Sequence, residues 1–206
     1  MSIAQEVSLA GKTVRPSQHV CAFFSSKEEE YRVLMPFIKE GFERGERAFH
    51  VVDPEHRATH LKRLGEAGIR VEDAEARGQL EVRRWEEAYL REGHFEQARM
   101  IELIQDVLRQ GKAQGFPRTR LVANMEWALE DRPGVDDIVE YESRLNYVLP
   151  KYDDCVVCTY DLAKFSAAVV MDILRTHPMV IVGGILQENP FYAPADEFIK
   201  ELRERQ

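Results

Sequence analysis

Cysteine is scarce in this chain: Cys21, Cys155 and Cys158 are the only three in 206 residues. Three thiols in a chain of ordinary domain size do not build a disulfide framework. Cations are short as well, with 28 Lys and Arg against 36 Asp and Glu, a formal net charge of −8. A phosphate backbone is gripped by clustered excess Lys and Arg, so this balance argues against a direct nucleic-acid partner. No apolar run approaches the roughly 18 residues of a membrane-spanning helix. The opening MSIAQEVSLAGKTVRPSQ lacks the basic start and apolar stretch of a secretory signal. These absences predict a cytoplasmic protein with reduced thiols and no membrane segment.

Glycine is missing where a nucleotide-binding protein needs it. The turn FFSSKEEE (23–30) contains none and carries three consecutive acids, so its backbone amides cannot wrap a triphosphate. Gly11-Lys12-Thr13 looks like the end of a phosphate-binding loop, but Glu6 stands where the motif requires glycine and no predicted strand precedes it. Nucleotide hydrolysis is not expected, and no other recognisable catalytic motif is present.

What is present is globular, at 44% apolar and 31% charged residues. Short apolar runs rich in strand formers occur at 19–24, 47–52, 80–85, 120–127, 155–160 and 179–184. Between them, apolar residues recur at helical spacing, as in Tyr31, Leu34, Met35, Ile38 and Phe42, or Ile138, Tyr141, Leu145 and Leu149. A last charged helix is predicted from Ala195 to Gln206. Uniformly apolar strands alternating with helices predict a three-layer α/β fold, a mainly parallel sheet of about six strands flanked by helices. The expected organisation is one domain over 15–206 behind a flexible tail over 1–14. Ligands of such sheets sit beyond the carboxyl ends of the strands. That rule directs attention to Phe24, Ser25 and Lys27, to Asp53, Trp85, Glu126, Trp127 and Tyr160, and to the loop from Gln187 to Tyr192.

Several pairs carry chemistry on paper. His56 and His60 have the i, i+4 spacing of metal ligands, but no third ligand is evident and a solvated helix face is expected. Cys155 and Cys158 form a C-x-x-C inside a strand, where residues three apart point to opposite faces. They are not expected to share an ion, and Cys155 reads as a buried structural thiol. His19 and Cys21 share one face of their strand, as do Cys158 and Tyr160. Were those strands neighbours, two thiols, an imidazole and a phenol would meet and suit a soft metal or a reactive organic ligand. A core with one satisfied histidine explains the same pattern. Glu126 ends a strand where burying a carboxylate is expensive unless it is paired or functional. Trp85, Trp127 and Tyr192 are candidates to line an aromatic pocket around it.

The ordered string HVCAFF, PFIKEGFERGER, GQLEV, YLREGHF, NMEWAL, Tyr141-Glu142, CTYD, HPMVIVGG and ENPFY resembles the MEDS domain, a sensory family, from about Pro16 to Pro194. The resemblance implies a RecA-like, KaiC-related fold that has lost its phosphate-binding loop. It places the family's histidine and cysteine on His19 and Cys21, its CxYD on Cys158 to Asp161, its HP on His177-Pro178 and its NPxY on Asn189 to Tyr192. It sets Glu126 at the end of the strand that carries the acidic metal-binding residue of the ATPases. It implies a sensor of small hydrocarbon derivatives. The resemblance spans nearly the whole sequence and leaves no residues for an output domain, so the expected partner is a separate kinase or transcription factor, with a homodimer as another route. The ligand-binding set expected is His19, Cys21, Phe24, Ser25, Asp53, Trp85, Glu126, Trp127, Cys158, Tyr160, Asn189 and Tyr192. No cofactor is expected, and a bound metal, if any, falls to His19, Cys21 and Cys158. The alternatives are a metal- or cofactor-dependent enzyme with Glu126 as base, and an ATPase-derived protein-interaction scaffold.

Overall fold

A computed structural model describes residues 6–14 and 18–205. Seven strands form the main sheet in the order β5-β4-β6-β7-β3-β8-β9. They are β3 (Gln18–Phe24), β4 (Arg47–Val52), β5 (Leu80–Arg84), β6 (Thr119–Asn124), β7 (Cys155–Asp161), β8 (Met179–Val182) and β9 (Ile185–Glu188). All neighbours pair in parallel except β8 and β9. In β4 and β6 every residue is buried, as expected of strands covered on both faces.

The side-chain alternation of the strands divides the core. Cys21, Phe23, Phe49, Leu121, Val156, Cys158 and Tyr160 pack under α4 (Gln97–Ala113), α5 (Ile138–Leu145) and α6 (Ala167–Thr176). Val20, Ala22, Phe24, Val122, Cys155 and Val157 pack under α1 (Lys27–Glu43), α2 (Arg57–Glu66) and the short α3 (Val71–Ala76). The two cysteines of the C-x-x-C therefore lie on opposite faces of the sheet. At its amino end the sheet is closed by buried arginines. Arg118 donates to Glu46 Oε1 at 3.0 Å, and Arg120 meets Glu46, Glu40 and the Phe37 carbonyl.

Two hairpins were not anticipated. β1 (Val7–Leu9) and β2 (Lys12–Val14) pair antiparallel through Ala10-Gly11, with Val7 and Leu9 buried in the α1-side core. Apolar burial thus fixes residues 7–14 where a flexible tail was expected, while residues 1–5 of that tail lie outside the described residues. The Gly11-Lys12-Thr13 tripeptide is this hairpin's turn and second strand. The other hairpin is β8–β9, whose two-residue turn Gly183-Gly184 has φ of 58° and 74°. Positive φ at both positions matches the twist of a tight hairpin and favours glycine. A Cβ on Gly184 would also stand 3.3 Å from Val33 Cγ2. Gly184→Ala is expected to cost about 1–2 kcal/mol, read as a lower urea midpoint at unchanged slope.

β9 changes the map of the site. Because it runs back against β8, the segment from Asn189 to Tyr192 lies at the amino end of the parallel sheet, opposite the expected position. There the Asn189 amide donates to the His177 carbonyl at 2.7 Å and its Oδ1 accepts the Phe191 N–H. Asn189 and Tyr192 therefore do not line the carboxyl-end site.

Candidate functional site

At the carboxyl ends, β3 passes into α1 through only Ser25 and Ser26. Ser26 caps the helix by accepting the Glu29 N–H, and the Ser25 N–H is taken by Glu29 Oε2 at 2.8 Å. With the Ser25, Glu29 and Glu30 amides engaged and acids at 28–30, this turn offers no phosphate cradle. Phe24 is 2% exposed and belongs to the α1-side core, so it does not reach a ligand at this edge.

Two adjoining hollows open beyond β4, β5 and β6, both bordered by Asp53. The larger, about 450 Å³, is lined by Trp85, Leu90, Glu126, Leu129 and Lys164 among others. The smaller, about 230 Å³, is lined by Lys27, Tyr31, His50, His60, Val51 and Val122 among others. A salt bridge joins them: Lys27 Nζ, from the smaller, lies 2.9 Å from Glu126 Oε1, from the larger. Burial pushes the Glu126 carboxyl up, but Lys164, Lys27 and the Asn124 amide outweigh it and hold it at about 2. A carboxylate so weakly basic is poorly suited to be a general base at neutral pH.

Trp127 is not in this pocket. A single helical turn over 126–129 directs it into the core, where it stacks on Tyr89 at 4.5 Å and packs on Phe95 at 4.4 Å. His60 also departs from expectation. It is 6% exposed, on the same helix face as Leu64, whereas His56 is exposed and pairs with Asp53. His60 Nδ1 lies 2.9 Å from Tyr31 Oη, and its Nε2 lies 2.9 Å from His50 Nδ1. Burial lowers both imidazoles, His60 to about 4 and His50 well below its ordinary value, so both are neutral at physiological pH. His50 Nε2, at the end of this chain, is buried with no hydrogen-bond partner.

The remaining candidates meet inside the core, under α5. β3 and β7 are neighbours in a register that pairs Cys21 with Cys158. Glu142, fully buried on α5, faces them. Its Oε1 accepts the Tyr160 hydroxyl at 3.1 Å, while its Oε2 lies 3.1 Å from His19 Nε2, 3.3 Å from His177 Nε2 and 3.7 Å from Cys158 Sγ. Burial raises the Glu142 carboxyl, yet His177 and His19 overcome it and hold it at about 2. Burial and the charge of His19 lower His177. Cys21 sits apart from the four-residue cluster, its thiol turned to the Met179 carbonyl at 3.7 Å.

Burial, reinforced by Glu142, pushes the Cys21 and Cys158 thiols well above their ordinary value. Protonated, buried thiols are weaker nucleophiles than exposed thiolates. The structure thus separates the sequence-predicted residues into two places. Asp53, Trp85 and Glu126 border the hollows, with exposed Ser25 on the neighbouring β3–α1 turn. His19, Cys158 and Tyr160 surround Glu142. Sequence reasoning left Glu142, His50 and the inward face of His60 without a site role. The helical pattern held the signal for two of them, since Glu142 lies four residues after Ile138 and His60 four before Leu64.

Comparison with known proteins places this geometry. The family model "MEDS: MEthanogen/methylotroph, DcmR Sensory domain" matches residues 18–178. The chain is 27% identical over 175 residues to the transcriptional repressor DcmR of Methylorubrum extorquens, covering 84% of this chain and 63% of that protein. In fold it is similar to a KaiC-like protein from the archaeon Pyrococcus horikoshii OT3, with a TM-score of 0.58 and 19% identity. That match covers 80% of this chain and 70% of the archaeal one, and shows a shared RecA-like fold. No helix among the described residues is long and apolar enough to cross a membrane.

Proposed function

The chain belongs to the MEDS family of sensory domains, and on that premise we propose that it senses a small, largely apolar organic molecule bound at the carboxyl ends of the strands. One observation carries this reading. The hollow of about 230 Å³ combines apolar walls from Val52 and Val122 with the neutral Tyr31–His60–His50 chain, whose last nitrogen is unpartnered. A buried polar atom without a partner is costly, and a ligand carrying one hydrogen-bonding group relieves that cost. Neutral imidazoles also suit an uncharged ligand better than an anion. Hydrocarbon derivatives with a single polar substituent have this chemistry.

The relay runs through Lys27. It borders the hollow, starts α1 and bridges to Glu126 across the rim, so a ligand that displaces its ammonium alters both hollows and the α1 terminus together. The change in shape passes to a regulatory protein, a transcription factor or a kinase. Neither a covalent step nor catalysis is part of this proposal.

Calorimetry of the purified chain against short-chain and halogenated organics tests it. At least one compound is expected to bind one-to-one, and His50→Leu is expected to weaken it by about tenfold or more, the loss of one hydrogen bond in a buried site. Absence of binding across the panel, or equal binding by the variant, counts against the reading.

A further inference from the structure

We propose that His19, Glu142, Cys158 and His177 form a closed four-ligand site for a divalent cation of the zinc class, buried in the α5-side core and separate from the sensing hollows. The donor atoms all lie within 4.8 Å of one another, and all four residues are buried. Their closest separations are 3.1 and 3.3 Å between nitrogen and oxygen, and 3.7 and 3.8 Å to sulfur. Bonds of 2.0–2.3 Å in a tetrahedron place donors about 3.3–3.6 Å apart, so the cluster is near coordination spacing already.

The hydrogen bonds behind the histidines fix which nitrogen faces inward. His177 Nδ1 lies 2.7 Å from Thr176 Oγ1 and 3.0 Å from the Ile173 carbonyl. The carbonyl can only accept and the Thr176 hydroxyl already donates to it at 2.8 Å, so both contacts are met by a proton on Nδ1. The Asn146 side-chain amide donates to the carbonyls of Glu142, Ser143 and Thr176, which turns its Oδ1 toward His19 Nδ1 at 3.1 Å. Each imidazole thus donates from Nδ1 to an oxygen acceptor and presents Nε2 to the cluster, the arrangement that holds metal-ligating histidines in orientation. Without a cation, two nitrogen lone pairs converge on one carboxylate oxygen. His177 Nε2 is buried without a hydrogen-bond partner.

Charge points the same way. A divalent cation, one carboxylate, one thiolate and two neutral imidazoles sum to zero, the condition under which burial of such groups is tolerable. Tyr160 donates to the second oxygen of Glu142 and completes the outer hydrogen bonding. Mixed nitrogen, oxygen and sulfur donors in this spacing suit zinc, and four protein ligands make a structural rather than a catalytic centre. The ion would staple β3, β7, α5 and the turn before β8. This set replaces the triad expected from the sequence: Cys21 leaves it, and Glu142 and His177 enter.

The test is metal analysis of the full chain, paired with native and denaturing mass spectra. One equivalent of zinc is expected, present in the native spectrum and absent from the denatured one. Refolding with cobalt should produce tetrahedral visible absorption and a sulfur-to-cobalt charge-transfer band. Cys158→Ser should abolish that band and weaken retention against a chelator by more than about tenfold, while Cys21→Ser keeps both. A folded parent chain that carries no stoichiometric metal and takes none up on refolding with zinc or cobalt overturns the proposal, whatever the variants do. Equal retention by Cys158→Ser and by Glu142→Gln overturns the ligand set. An organic mass in the native spectrum bears on the sensing hollow alone, so the two proposals fail separately.

Discussion

A chain carrying Glu142→Ala is expected to be about 3–5 kcal/mol less stable than its parent at neutral pH, the penalty for removing one partner from a buried ionic cluster. Glu142 has no exposure, and Tyr160, His19, Cys158 and His177 all turn a polar atom toward it. Truncation leaves the buried Tyr160 hydroxyl without its acceptor and removes the carboxylate that His19 and His177 both face. The loss is a large share of the roughly 5–15 kcal/mol that holds a domain folded. Glu140→Ala, on the same helix, is the control. Glu140 is 21% exposed and bridges Arg144 one turn on, an arrangement worth at most about 1 kcal/mol. Urea unfolding of both variants measures the contrast. Similar losses for the two would show that the core relaxes around an absent carboxylate, and that the cluster is not a cooperative unit. A cation bound at the cluster adds to the loss at Glu142 and leaves Glu140 untouched.

The fold was legible in the sequence because its signal is local. Runs such as RAFHVV and CVVCTY are apolar without alternation, and only a strand covered on both faces reads so. The missed elements are the short ones. Three-residue β1 and β2 carry too little periodicity to announce themselves. Leu186 is the one buried residue of β9, so no apolar run marks that strand. Its real marker was Gly183-Gly184 followed by a second short segment, a hairpin signal easily taken for the end of a strand. That one reversal of direction carried Asn189 and Tyr192 from one end of the sheet to the other. The site was legible residue by residue more than as an assembly. The shared faces of His19 with Cys21 and of Cys158 with Tyr160 follow from strand geometry. Which neighbours those faces meet depends on contacts such as His19 with Glu142, 123 residues apart in sequence, and no local pattern encodes them. Trp127 failed for a different reason, since the chain turns helical immediately after β6 and the strand's alternation no longer applies.

Acidification is expected to unfold the histidine chain of the smaller hollow, with a sign that burial dictates. In the unfolded chain His60 titrates near 6.5, and in the fold near 4. As pH falls below about 6.5 the unfolded state takes up a proton that the folded state refuses, so stability is intact above that value and declines until about pH 4. A shift of this size corresponds to about 3 kcal/mol. His50 acts in the same direction, its imidazole lowered by burial and by His60. Asp154 opposes them, because burial pushes its carboxyl up to about 6 and stability is gained as it protonates. The diagnostic quantity is therefore the difference between the parent and His60→Gln, whose amide can keep hydrogen bonds to Tyr31 and His50 but does not titrate. Urea unfolding at pH 7, 6, 5 and 4 should show the parent losing about 3 kcal/mol relative to the variant across the series. Parallel curves would mean that His60 takes up its proton in the fold as readily as in the unfolded chain. A parent that gains stability relative to the variant as pH falls would mean that the imidazole is already protonated in the fold. A charged imidazole would then sit in the hollow, and anions would become better candidates for it than uncharged hydrocarbon derivatives. The same titration thus decides which class of molecule deserves the first binding experiments.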